Sequence, residues 1–154
     1  MTTTLAFELR PASPDDIDFE HHLYASTRDD LRPLGPEVFN GLVGMQFRAQ
    51  TMSIKLDHPQ AERKIVVVEN EPVGRLIIDA SGSGIEVLDV ALLPQFRGNG
   101  LGTSVMRGVM TQADHLGRAI RLHVEKQSRA VRLYERMGFV ICGDVGMYFT
   151  MSRG

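Results

Sequence analysis

Three glycines at alternate positions, Gly98, Gly100 and Gly102, lie within residues 94–103, PQFRGNGLGT, between an apolar run and an amphipathic one. No other feature constrains the chain as much. The segment reads as a strand, a glycine-rich turn and the start of a helix. Such a turn exposes several backbone N–H groups, and the positive end of the helix dipole points the same way. The segment is therefore an anion cradle, most often one for phosphate. A P-loop would end in Gly-Lys-Ser/Thr, but Gly102 is followed directly by Thr103. A dinucleotide fingerprint needs a glycine at its sixth position, which counted from Gly98 is again Thr103. Both nucleotide motifs fit poorly.

The rest of the chain supplies the frame. Residues 5–10 read as a first strand. Ser13, Pro14 and Asp16 then start a helix, with a side-chain cap, a proline in the first turn and an acid near the dipole's positive end. That helix is expected to run to about residue 27. A second helix starts near Pro36 and ends before Pro59. Val38, Phe39, Leu42, Met45, Ala49, Met52 and Leu56 recur along it at three- and four-residue steps and predict its apolar face. Residues 64–69 and 73–78 are rich in β-branched side chains and flank a turn, so they read as a hairpin. Residues 85–93 form a third strand of this block.

The glycine turn feeds a helix with Leu101, Val105, Met106, Val109, Met110, Ala113 and Leu116 facing inward, closed by Gly117. Residues 119–125 are a strand. Ser128 caps a short helix whose Ala130, Leu133, Tyr134 and Met137 face inward. Residues 139–142 and 147–151 are the last strands, which makes Cys142 a buried strand residue. The sum is one α/β domain over residues 1–154: a central mixed sheet of about seven strands flanked by about four helices. The strands on either side of the glycine-turn helix must run parallel with a right-handed crossover. A ligand belongs at their carboxyl ends, where the turn lies.

Two signatures now stand in order: Gln95-x-x-Gly98-x-Gly100, and some thirty residues on AVRLYERMGF, residues 130–139. Together they resemble the GNAT superfamily of acyl-CoA-dependent N-acetyltransferases. The match is strong over residues 85–139, and the preceding elements follow the superfamily's order more loosely. The resemblance implies roles. Gly98, Asn99, Gly100, Leu101, Gly102 and Thr103 hold the pyrophosphate of acetyl-CoA through their backbone, and Arg97 either reaches a phosphate or stands solvated. Val90, Ala91, Leu92 and Leu93 pair with the pantetheine arm, on a strand that splays from its neighbour. Ala130 and Leu133 lie against the cosubstrate. Tyr134 is the general acid that protonates the leaving thiolate, and a backbone N–H near Leu92 meets the oxyanion. Three residues compete as base: Glu86 and His123 at positions used in the family, and Asp89, on the opposite face from Glu86 by the two-residue strand period. Many members carry an asparagine six or seven residues before the tyrosine, where this chain has Gln127 and Ser128. Ser128 still offers a hydroxyl, and the change puts that cofactor contact in doubt. Phe47, Arg48 and Tyr24 are candidates to line the acceptor pocket.

The implied reaction moves an acetyl group from acetyl-CoA to a primary amine by direct attack in a ternary complex. The acceptor is expected to be a small molecule, with a protein amine as the other case. A non-catalytic acyl-CoA-binding or protein-interaction domain on the same fold is the alternative. A net charge of −2 provides no field for nucleic acid or an anionic membrane. The histidines lack metal-ligand spacing, so no metal is expected. One cysteine and an N-terminus, MTTTLAFELR, without signal-peptide features fit a reducing cytoplasmic setting. A homodimer is expected by analogy with the family.

Overall fold

The structure, a computed structural model, describes residues 5–154. The first four residues of the N-terminal stretch lie outside the described residues. Strand β1 (Glu8–Pro11) leads into a 3-10 turn (Pro14–Asp16), helix α1 (Ile17–Ala25), a second 3-10 segment (Asp29–Leu34) and helix α2 (Pro36–Asp57). Strands β2 (Glu62–Val68), β3 (Glu71–Asp79) and β4 (Ile85–Leu92) follow, then α3 (Leu101–Leu116), β5 (Ile120–Glu125), α4 (Ala130–Arg136), β6 (Val140–Val145) and β7 (Tyr148–Arg153). The sheet has seven strands in the order β1-β2-β3-β4-β5-β7-β6. Among the described residues only β4 and β5 pair in parallel, joined through α3 as a strand–helix–strand unit requires. The second such unit leaves β5 and β6 apart, because β7 inserts between them.

Local chemistry sets the boundaries. The β2–β3 turn uses Glu69 and Asn70 at φ 51° and 66°, the two left-handed residues that a tight hairpin needs. Helix α1 stops two residues short of the expected 27. There the Ser26 hydroxyl donates to the Leu23 carbonyl at 2.6 Å and the Thr27 hydroxyl to the Tyr24 carbonyl at 2.7 Å, satisfying helix-end acceptors locally.

The sheet is packed on both faces. Leu76 and Ile78 of β3 join Leu101, Val105, Met106 and Val109 of α3 in one cluster. Arg75, Ile77 and Asp79 alternate onto the opposite face, where α1 and α2 lie and bury Leu23, Phe39, Val43 and Phe47. Helix α2 corrects the expected apolar face. Phe39, Val43 and Phe47 are buried, whereas Val38, Met45, Met52 and Leu56 are exposed. The helix carries two apolar stripes, and the sheet covers the aromatic one. Cys142 is also exposed. It lies on β6, the edge strand beyond β7. Leu116 is exposed at the end of α3.

Asp16 anchors the start of α1. Its two carboxylate oxygens each accept an N–H of the Arg10 guanidinium at 2.8 Å, and one accepts the Ser13 backbone N–H at 2.8 Å. The Arg10 hydrogen bond, with help from Ser13, lowers the Asp16 pKa to about 2. A carboxyl whose folded pKa is depressed contributes stability above its unfolded value and loses it as the pH falls through the folded one. The melting temperature should therefore fall between about pH 4 and pH 2. The fall should be shallower in Asp16→Asn, as a thermal-melt series across that range would record.

Candidate active site

Strands β4 and β5 pair at only three positions, Ile85 with Ile120, Glu86 with Arg121 and Val87 with Leu122. Beyond Val87 they diverge and leave a gap in the sheet. The Leu93 N–H donates to the Val73 carbonyl at 2.8 Å, and the Ala91 carbonyl faces Gly74. Backbone direction alternates along a strand, so Val90 and Leu92 turn their backbone groups into the gap.

Two recesses meet there. The larger, about 760 Å³, runs from the glycine turn to α4. Val90, Ala91, Leu92, Arg97, Gly98, Gly100, Gly102, Thr103, Ala130 and Leu133 all line it. Gly98 and Gly100 hold φ of 77° and 86°, which side chains with a Cβ rarely adopt. The Asn99 side-chain oxygen accepts the Leu101 N–H at 3.3 Å, which leaves the next N–H groups of the α3 start, on Gly102 and Thr103, at the recess. Leu101 has its side chain fully in the core and its N–H on Asn99, and neither residue lines the recess. Leu93 is likewise turned away, against β3. Arg97 donates through Nε to the Leu92 carbonyl at 2.9 Å and through Nη2 to the Ser26 carbonyl and hydroxyl at 3.3 Å. It ties the turn to the end of α1.

Two further arginines, Arg129 and Arg136, line the same recess, and no carboxylate does. The sequence reading passed over both. The available signal was their seven-residue spacing, which puts them on the face of α4 that carries Leu133.

The smaller recess, about 280 Å³, lies across the gap and is lined by Asp89, His123, Glu125, Ser128, Tyr134 and Tyr148 among others. No lysine or arginine lines it. Tyr134, Val90 and Ala130 line both recesses, so the tyrosine stands where the basic and acidic sides meet. Its ring is buried and packs on Phe139 with centroids 5.6 Å apart. Burial, followed by the charge of Asp89, raises the phenol's pKa above its ordinary value, so the phenol stays protonated at neutral pH. Ser128 accepts the Ala130 N–H on its hydroxyl at 3.1 Å, which fixes the start of α4.

The three base candidates separate in space. His123 is in the smaller recess, with Nδ1 3.1 Å from the Thr150 hydroxyl. Asp89 is there too. Glu86 lines a different recess with Asp79, Ser81 and Arg121, and its carboxylate is 3.8 Å from His58 Nε2. A bulge explains the arrangement. Ile78 faces Val87 and Ile77 faces Asp89, so Leu88 is an extra residue in β4. The insertion breaks the two-residue alternation. It puts Asp89 on the same face as Glu86, where the sequence period placed them on opposite faces. Phe47, Arg48 and Tyr24 line neither recess. Phe47 is buried, stacked on His21 at 5.2 Å.

The sequence also left unmarked the polar cluster behind Asp89. Arg75, an arginine in the middle of the apolar strand β3, is buried beside Glu20 of α1, which is buried as well. An arginine within such a run needs a buried acid, and that was the signal. Among the described residues no group of three His, Cys, Asp or Glu is placed to hold a metal, and no helix is long and apolar enough to cross a membrane.

The PaiA N-acetyltransferase of Thermoplasma acidophilum, solved with coenzyme A, superposes with a TM-score of 0.75 at 14% identity, over 97% of this chain and 99% of that one. A spermidine N-acetyltransferase chimera from Vibrio cholerae and hSSAT gives 0.66 at 20% identity, over 96% and 94%. A GNAT family acetyltransferase from Elizabethkingia anophelis, with acetyl-CoA bound, gives 0.64 at 14% identity, over 96% and 97%. At these identities the likeness is one of fold. No curated protein matches the chain in sequence. The family model described as acetyltransferase (GNAT) family matches residues 21–139, from α1 through the end of the tyrosine-bearing segment, and the chain belongs to that family.

Proposed function

We propose that this protein transfers an acetyl group from acetyl-CoA to the primary amine of a small cationic molecule. The observation that carries the reading is the division of charge across the gap. One recess is lined by three arginines and a glycine turn without a carboxylate; the other by Asp89 and Glu125 without a lysine or arginine. The first suits a pyrophosphate, the second an alkylammonium, and Tyr134 lies at their junction.

The cradle residues fit the cosubstrate. Two left-handed glycines allow close backbone approach, the Gly102 and Thr103 N–H groups open toward the recess, and Val90 and Leu92 offer strand-like hydrogen bonds in the gap. Bound acetyl-CoA supplies a thioester whose carbonyl carbon the amine attacks directly. The Leu92 N–H is the donor for the acyl oxygen as charge grows on it. The Tyr134 hydroxyl gives its proton to the departing sulfur. Asp89 and His123 are the groups in reach to take a proton from the incoming amine. A protein amine is the second acceptor class.

The test is a thermal melt with and without acetyl-CoA, followed by an amine panel. Acetyl-CoA at a hundredfold its dissociation constant should add ~2.7 kcal/mol, and ATP or NAD should add nothing comparable. Coenzyme A release with small amines completes the case. A shift without turnover on small or peptide amines would leave a binding domain on this fold, the reading that Ser128 in place of the family's asparagine favours. The absence of any shift would remove the cosubstrate.

A further inference from the structure

We propose that Arg75 is a positioning residue: clamped between α1 and α2, it fixes Asp89 as the carboxylate that receives the acceptor's ammonium. This deepens the acetyl-transfer reading above and rests on it.

Arg75 is 3% exposed. Its Nε and Nη2 donate to the same oxygen of Asp89, Oδ2, at 2.9 and 2.6 Å. Nη2 also donates to the Gln50 side-chain oxygen of α2 at 2.9 Å, and Nη1 to Glu20 Oε1 of α1 at 3.3 Å. Glu20 is held a second time, by Arg63 Nη2 at 2.6 and 2.7 Å. One guanidinium therefore spans both helices and the bulged strand, and its planar fork leaves it little freedom. Burying this many charges is costly unless all are paired, and here they are.

The arrangement is one-sided in a way that matters for chemistry. Both Arg75 contacts fall on Oδ2, and among the described residues Oδ1 of Asp89 has no hydrogen-bond partner. No buried side-chain oxygen among the described residues lacks a partner, so Oδ1 is not sealed off, and Asp89 lines the smaller recess. The bulge at Leu88 is what turns Asp89 onto the face where Arg75 can reach it. Glu86, by contrast, faces His58.

The protons then balance. The acceptor ammonium donates one proton to Asp89 Oδ1, and the neutral nitrogen forms the C–N bond as the C–S bond breaks. Tyr134 gives its proton to the thiolate and regains one from the acylated nitrogen. The proton held by Asp89 leaves to solvent, so one proton is released per amide formed.

A double-mutant cycle tests the assignment. Arg75→Met should lower kcat/KM for the amine by about 10²-fold, the usual scale for a misplaced reacting group. The loss should fall on the amine's parameters, with the acetyl-CoA thermal shift retained. Asp89→Asn should lose at least as much, and the double variant should lose no more than Asp89→Asn alone. A further multiplicative loss in the double variant would mean that Arg75 acts through the fold rather than through Asp89, and would overturn the proposal. Should Arg75→Met fail to fold, Arg75→Lys keeps a cation beside Glu20 without the fork, and the same cycle is run with it.

Crystal structures of the wild type and Arg75→Lys decide the point without turnover. An Asp89 carboxylate unmoved within about 0.5 Å, the tolerance of a positioned group, would also overturn it. A wild type that acetylates no amine would instead sink the transfer reading, and those two structures would still report whether Arg75 holds Asp89.

Discussion

Tyr134→Phe should lower kcat by about 10²- to 10⁴-fold, the range a positioned general acid supplies. The loss should be confined to chemistry. The phenyl ring retains the contact with Phe139, so the fold and the acetyl-CoA thermal shift should survive. The pH profile gives the sharper signature. Burial and the Asp89 charge raise the phenol's pKa, so the wild type keeps its acid protonated through neutral pH, and activity that depends on that proton should fall only under strongly alkaline conditions. That alkaline fall should be absent from the residual activity of the variant. A wild-type turnover rate in Tyr134→Phe at every pH would remove the tyrosine as the acid. The second recess would then need another donor, with His123 the nearest in kind.

Gly74→Ala should give the largest loss of stability from a single added methyl group. A Cβ at that position would lie 2.5 Å from the Ala91 carbonyl oxygen and 2.6 Å from Leu92 Cδ2. The first of these is backbone and cannot rotate away, so β3 and β4 must part. Overpacking of this kind costs about 3 kcal/mol at the upper end of its usual range, or roughly 6–12 °C in melting temperature for a chain of this size. The damage should spread to function, because the strand pushed aside carries Val90 and Leu92 at the gap. Calorimetry should show weakened acetyl-CoA binding along with the lower melting point. A variant with normal stability and normal binding would contradict the close approach of these two strands.

Much of this architecture is legible in the residues. The alternation of β-branched side chains marks β2 and β3, the glycine spacing marks the cradle, and the parallel β4–β5 pair follows from the helix between them. What escaped has identifiable causes. The apolar stripe of α2 was assigned to the wrong side because the helix bears two, and periodicity alone does not say which one the sheet will cover. Phe39 and Phe47 fix the answer by their size. Cys142 looked buried from its apolar neighbours, but β6 is an edge strand, and strand order is a long-range property. The bulge at Leu88 was invisible because it depends on the register against β3, and one inserted residue moved Asp89 to the other face of the sheet. The arginine in the apolar run of β3 announces a buried acid, but Glu20 lies far away in the chain, so no local pattern says which acid it is. On the proposed reading the site thus divides into a cradle, centred on one contiguous motif, and an acceptor side lined by β4, β5 and α4 and braced through Arg75 by α1, α2 and β3.

The gap between β4 and β5 means that this sheet is incomplete as the chain makes it. Three residue pairs hold the two half-sheets together at one end, and past Val87 neither strand has a strand partner across the gap among the described residues, only local contacts such as Arg97 on the Leu92 carbonyl. On the proposed reading the pantetheine arm becomes a borrowed eighth element, supplying to Val90 and Leu92 the hydrogen bonds a neighbouring strand would give. Those two amides should exchange with solvent quickly in the free protein and slowly once the donor is bound. The halves should also breathe about the Ile85–Val87 seam until the donor stitches them. The protein's resistance to unfolding and proteolysis would then rise and fall with the supply of its acyl donor. Its lifetime would become a readout of that supply.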